Sequence, residues 1–218
     1  QKLSEKFLED NISKLDWEII SNRQKISEDF IRKYKHKLNW KFIFSTQQLS
    51  CNFLREFKGF LIENPRFWSI ISSSQILDED FIKDFKNNLD WSRIFGNQEL
   101  SSKFLINHSD KINTDFDINN ICLSQKIEDD FIRHFNKRFN CDHWEMITEH
   151  QNLSEEIIKE FINKFNYKLL AMLQDLSFEY IKENITNFES EWFMKNKKIT
   201  DNKKSKIQDI FDSYKDLL

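Results

Sequence analysis

A block of about 23 residues recurs along this chain, and it restricts the fold more than any other feature of the sequence. An apolar residue followed by a small polar or acidic one stands at Leu3-Ser4, Ile26-Ser27, Leu49-Ser50, Leu77-Asp78, Leu100-Ser101, Ile127-Glu128, Leu153-Ser154 and Leu176-Ser177. Successive starts are 23, 23, 28, 23, 27, 26 and 23 residues apart. Four residues after each start comes Phe7, Phe30, Phe53, Phe81, Phe104, Phe131, Ile157 or Tyr180, and the next position is Leu or Ile in every copy. Twelve residues after the start comes Leu15, Leu38, Leu61, Leu89, Ile112, Phe139, Phe165 or Phe188.

This first half of the repeat predicts a helix. The Ser or Asp is a good N-cap, because its side-chain oxygen can take an orphan N–H of the first turn. The apolar residue before it and the Leu or Ile four positions after it form a hydrophobic staple, as in Leu3/Leu8 and Ile26/Ile31. Acidic residues such as Glu5, Glu28, Glu79, Asp129 and Glu155 open the helix and basic residues follow, an order that suits the helix dipole.

A second half follows, led by Trp17, Trp40, Trp68, Trp91, Ile118, Trp144 or Tyr167. An Ile or Leu comes three residues later, and seven residues after the leader stands Gln24, Gln47, Gln75, Gln98, Gln125, Gln151 or Gln174. Asp16, Asn39, Asp90, Asp117 and Asn166 precede leaders and read as N-caps of a shorter helix that packs on the first. Length variation falls between the halves, at the insertions that hold Pro65 and Asn140 to His143. Connecting loops tolerate such changes.

A helical hairpin of this size cannot bury two apolar faces alone, whereas stacked copies can. The expected fold is therefore an all-α solenoid of tandem short helix-turn-helix repeats. It has about eight copies over residues 1–198 and a C-terminal capping helix over 199–218 of the same domain. In that helix Ile207, Ile210, Phe211, Tyr214 and Leu217 share a face. The eighth copy keeps Trp192 but lacks the Ile and Gln at their usual spacing. The recurrent Gln reads as structural, satisfying backbone groups at the turn between repeats, and the Trp row reads as core. With 2 Gly, 1 Pro and no Val, a β-sandwich or barrel is excluded, as are catalytic loops that need several glycines.

Cys51, Cys122 and Cys141 are odd in number and lack a short metal-ligand spacing, which predicts free thiols in a reducing compartment. No apolar run reaches transmembrane length and no hydrophobic leader is visible, so a cytoplasmic chain without membrane contact is expected. The chain opens on Gln1, which reads as a processed or trimmed start.

Cys141, His143 and His150 form the one cluster that hints at metal, and their spacing matches no standard zinc site. Acidic pairs such as Asp129-Asp130 and Glu155-Glu156 sit in helix first turns, where the dipole accounts for them. Phosphate loops, nucleophile elbows and zinc-protease helices are absent from the sequence. The expectation is a non-enzyme without catalytic residues, metal or cofactor. The later turns of the first helices carry Arg32, Lys33, Lys35, Lys37, Arg55, Lys58, Lys83, Lys86, Arg133, Lys137 and Arg138. Stacking would align them into a basic edge opposite an acidic one. Such an edge suits RNA, DNA or an acidic protein surface, although dipole complementation and solubility are the favoured explanation. The net charge of -3 excludes a globally basic nucleic-acid binder.

The motif Leu/Ile-Ser-Glu-Asp-Phe-Ile followed by Leu-Asp/Asn-Trp-x-x-Ile-x-x-x-Gln is carried most fully by Ile26 to Trp40 and Leu77 to Trp91. It resembles short helical repeats that recur in proteins of large DNA viruses and bacteriophages. The resemblance spans residues 3 to 190 or so. It implies a viral interaction scaffold that binds a protein partner, such as a host defence nuclease held inactive. Nucleic-acid binding along the basic edge stands as the alternative.

Overall fold

The computed structural model describes residues 3–216, and every regular element among them is helical. Leu217, expected on the closing helix, lies outside the described residues. Contacts group the chain into two units, Gln1–Leu100 and Ser101–Leu218, with four repeats in the first and four repeats plus the closing helix in the second. Each unit is a short α-solenoid.

The first helices are brief, and each begins where a side chain can cap it. In the first unit they are Glu5–Asp10, Glu28–Tyr34, Cys51–Glu56 and Glu79–Asp84. Ser4, Ser27, Ser50 and Asp78 accept the N–H of Phe7, Phe30, Phe53 and Phe81. In the second unit they are Ser102–Asn107, Asp129–Phe135, Glu155–Glu160 and Phe178–Glu183. Ser101, Ser154 and Ser177 cap there in the same way. Glu128 does not. Its side chain is longer by a methylene than that of Asp and makes no cap bond. Its own N–H goes to the Ser102 hydroxyl, 2.8 Å away.

The second helices are Trp17–Arg23, Trp40–Thr46, Phe67–Ser74 and Trp91–Asn97, then Asp115–Ser124, Cys141–His150, Tyr167–Leu173 and Ser190–Met194. Asp16, Asn39, Asp90 and Asn166 cap as expected. Asp117 does not occupy the N-cap position. The insertion lets that helix start a turn earlier on Thr114, and Asp117 closes a capping box by accepting the Thr114 N–H. Asn140 and His143 build the same box in repeat six, so the expected loop is a helix start. The insertion in repeat three forms an additional helix, Lys58–Glu63, before Pro65.

Within each unit every second helix packs on the second helix of the next repeat. The staple residues Leu8, Ile31, Leu54 and Ile82, and Leu105, Ile132, Ile158 and Ile181, are fully buried. Each contributes on the order of 1.5–3 kcal/mol relative to exposure. Phe30, Phe53 and Phe81 are buried, whereas Phe7 of the first repeat is 49% exposed. The closing helix runs Asp201–Lys215, with Thr200 as its cap and Ile199 buried before it, so the anchor-and-cap pattern occurs once more. Ile207 and Phe211 are buried, and the Phe211 ring lies 6.2 Å from that of Phe193.

Candidate functional site

The seven repeated glutamines are all buried. A buried amide left without partners is costly, and these are satisfied by backbone. Gln75 shows the pattern in full. Its Oε1 accepts the N–H of Leu49, at the start of its own repeat, at 2.9 Å. Its Nε2 donates to the carbonyls of Gln47 and Phe44 in the preceding repeat, both at 2.7 Å. One side chain thus closes its own hairpin and ties it to the one before.

Gln47 donates to the Gln24 carbonyl and Gln98 to that of Gln75, which makes a ladder through the first unit. Gln151 donates to the Gln125 carbonyl and Gln174 to that of Gln151 in the second. Asn196 extends this ladder. It is fully buried and donates to the carbonyls of Gln174 at 2.9 Å and Ala171 at 2.8 Å. It stands three residues after buried Phe193, whereas each Gln stands four after its Ile or Leu. The shifted spacing and shorter amide hid it from the sequence reading.

The leader rings pack forward. Trp17 meets Tyr34, Trp40 meets Phe57, Trp68 meets Phe85 and Trp144 meets Phe161, with centroids 4.9–5.3 Å apart. Each partner ends the first helix of the next repeat, Tyr34 as its last residue and Phe57, Phe85 and Phe161 as its C-cap. Trp68 and Trp144 are buried, while Trp17, Trp40 and Trp91 keep partial exposure.

Four of the eleven residues of the expected basic edge are paired with carboxylates of neighbouring repeats. Arg32 bonds Glu56 and Asp29 at 2.8 Å and lies over the Phe53 ring. Its pKa is raised above the ordinary value, chiefly by the Glu56 hydrogen bond. Lys33 pairs with Glu9, Arg55 with Asp78 and Asp84, and Arg133 with Glu160. Arg138 donates to the Ile112 carbonyl. Among the described residues Lys35, Lys37, Lys58, Lys83, Lys86 and Lys137 carry no ion pair; Lys37 lies over the Trp17 ring. The acidic helix starts have a second role beyond the dipole. Glu5, Glu28 and Glu155 accept the N–H of Ser27, Ser50 and Ser177, the N-cap residues of the next repeat.

Cys141, His143 and His150 are not gathered into a ligand set. Cys141 is exposed, whereas His143 is fully buried with Nδ1 taken by the Asn140 N–H. Among the described residues no group of three His, Cys, Asp or Glu could hold a metal ion. No helix among them is long and apolar enough to cross a membrane. Burial pushes the Cys122 thiol up to about 12.

One row was not anticipated. An apolar residue stands two positions after the leader at Ile19, Phe42 and Ile70 in the first unit and at Met146, Leu169 and Met194 in the second, whereas Arg93 and Asn120 hold that place in repeats four and five. Ile19 is 51% exposed and Met194 36%, and the others keep partial exposure. All 3 methionines lie on second helices, at Met146, Met172 and Met194, and none is buried. Ile70 also lines a cleft of about 730 Å³ in the first unit, together with Trp40, Phe60 and Phe67. A smaller cleft of about 420 Å³ lies between Lys182 and Ile185 and the closing helix. Compared with family models, curated proteins and solved structures, the chain matches none.

Proposed function

We propose that this chain is a non-catalytic scaffold that binds a protein partner through the exposed face of its second helices. The observation that carries this reading is the apolar row, Ile19, Phe42 and Ile70 in one unit and Met146, Leu169 and Met194 in the other. Ile19 and Met194 are exposed and the other four keep partial exposure, so apolar surface on these helices is left for a partner to cover. Unbranched, polarisable methionines adapt to varied surfaces and are favoured where a protein must fit a partner. The motif resemblance extends the reading to a viral protein and a host factor, a defence nuclease held inactive being the example.

The second reading is nucleic-acid binding along the edge. It is favoured by the unpaired Lys35, Lys37, Lys58, Lys83, Lys86 and Lys137 and weakened by the carboxylates already seated on Arg32, Lys33, Arg55 and Arg133. Two variants separate the readings. Leu169→Glu with Met194→Glu should abolish capture of a partner that survives high salt. Lys83→Glu with Lys86→Glu should leave that capture intact. If instead the chain binds oligonucleotides with a steep salt dependence that the lysine variants remove, the scaffold reading fails.

A further inference from the structure

The cleft in the first unit lies where repeat three departs from the commonest residue type at one repeat position. Eleven residues after each start the chain carries Lys14, Lys37, Phe60, Asn88, Lys111, Arg138, Lys164 or Asn187. Five copies place a cation there and one places an aromatic. The consequence is visible in neighbouring repeats. Lys37 lies over the Trp17 ring, 5.3 Å from its centroid. Phe60 takes the equivalent place against Trp40, with ring centroids 5.0 Å apart. A cation covering a tryptophan has been exchanged for a ring that extends an apolar floor.

The insertion of repeat three completes the site. Its chain turns at Pro65 and brings Arg66 beside the cleft, with the guanidinium 4.9 Å from the Phe67 centroid. Phe67 stacks on Phe60 at 5.8 Å. Lys41 stands on the opposite helix. Neither Lys41 nor Arg66 has an ion pair among the described residues, whereas Arg32, Arg55, Arg93 and Arg133 all have one. No acidic residue lines the cleft. Asn39 accepts the Lys41 N–H on its Oδ1, which leaves its Nδ2 to donate to a peptide carbonyl.

We infer that this cleft receives an acidic segment of a partner protein, with one bulky aromatic side chain seated on the floor of Trp40, Phe60 and Phe67 and its flanking carboxylates on Arg66 and Lys41. The floor supplies aromatic contacts and apolar burial. Arg66 supplies a planar fork that matches a carboxylate in two-point contact. Two unpaired cations with no competing acid select against basic segments. This assignment rests on the scaffold reading and names the chemistry of part of the partner.

The test is a selection of random short peptides displayed on phage, run on the full chain and in parallel on Phe60→Lys and Arg66→Glu. Phe60→Lys installs the residue type that Lys37 and Lys111 already hold at this repeat position, so the fold tolerates it, and equal thermal melts check this. The expected winners carry one aromatic residue beside two or more Asp or Glu. A dye-labelled winner should bind either variant about tenfold or more weakly than the parent chain. Winners that are basic, that lack an aromatic, or that bind the variants equally overturn the assignment, as does a selection with no winners. Loss of oligothymidylate binding in the same variants would also overturn it, in favour of a nucleic acid. Leu169→Glu with Met194→Glu should leave the winning peptide bound. If the peptides fail while those two changes still abolish partner capture, the cleft assignment falls and the scaffold reading stands.

Discussion

Gln75→Ala removes three hydrogen bonds at one stroke and leaves their backbone partners buried. The Leu49 N–H loses its acceptor, and the Phe44 and Gln47 carbonyls lose a common donor. A buried group left unsatisfied costs about 1–3 kcal/mol, so three of them, offset in part by relaxation or an entering water, give about 3–6 kcal/mol. For a chain of this size that lowers Tm by about 6–20 °C. The matched control is Gln48→Ala. Gln48 is the exposed neighbour whose Nε2 reaches only the Ser74 carbonyl, and its loss should cost at most about 0.5 kcal/mol. Urea unfolding followed by circular dichroism measures both.

Gln75→Glu sharpens the test. It keeps an acceptor for Leu49 but points a carboxylate at two carbonyls, so at neutral pH it should destabilise more than Gln75→Ala. Burial and repulsion raise the carboxyl's pKa in the folded chain above its unfolded value, so the folded state binds the proton more tightly. Stability of this variant should therefore rise as pH falls from 7 toward 5. If Gln75→Ala matches Gln48→Ala, or if acid does not help Gln75→Glu, the ladder does not hold the stack.

Three further outcomes follow from the structure. Asn196→Ala should cost about 2–4 kcal/mol and raise amide exchange in the helix Asp201–Lys215, because two carbonyls lose their donor beside the closing helix. Burial works to raise the Asp78 carboxyl, but the Phe81 N–H, the Cys51 thiol and Arg55 outweigh it and hold its pKa below the ordinary value. Its contribution is therefore complete at neutral pH and lost as pH falls below about 3.9. Asp78→Ser keeps the cap and should flatten that part of the pH dependence of the urea midpoint. Alkylation at mildly alkaline pH, read by mass spectrometry, should modify exposed Cys141 first. Cys122, buried with its pKa pushed up to about 12, should react only when its unit unfolds.

The repeat period, the caps and the staple were legible because they are local: Ser27 reads its own first turn, and Ile26 meets Ile31 one turn away. Repeats five and six show the limit. Glu128 fills the cap position in the pattern yet is too long to act as one. Asp117 looked like a cap because nothing local reveals that Thr114 starts the helix earlier. The cross-repeat pairs were hidden for another reason. Arg32 and Glu56 lie in different copies, and only the stacking geometry brings them to 2.8 Å. The same geometry seats carboxylates on four of the eleven cations that the sequence offered as a binding surface. Partly exposed Phe42, Ile70 and Leu169 escaped notice because an apolar residue in an amphipathic helix is ordinarily assigned to core.

Gln47, Gln75, Gln98, Gln151 and Gln174 each reach back to the carbonyl of the preceding glutamine and down to the start of their own hairpin. A stretch running from one glutamine to the next is therefore an interchangeable tile. Gene duplication or loss of a whole tile leaves every donor and acceptor of the ladder matched, while removal of any other length strands at least one. Longer or shorter descendants of this chain should differ by whole tiles, and smaller insertions should collect only where the two helices of a tile join.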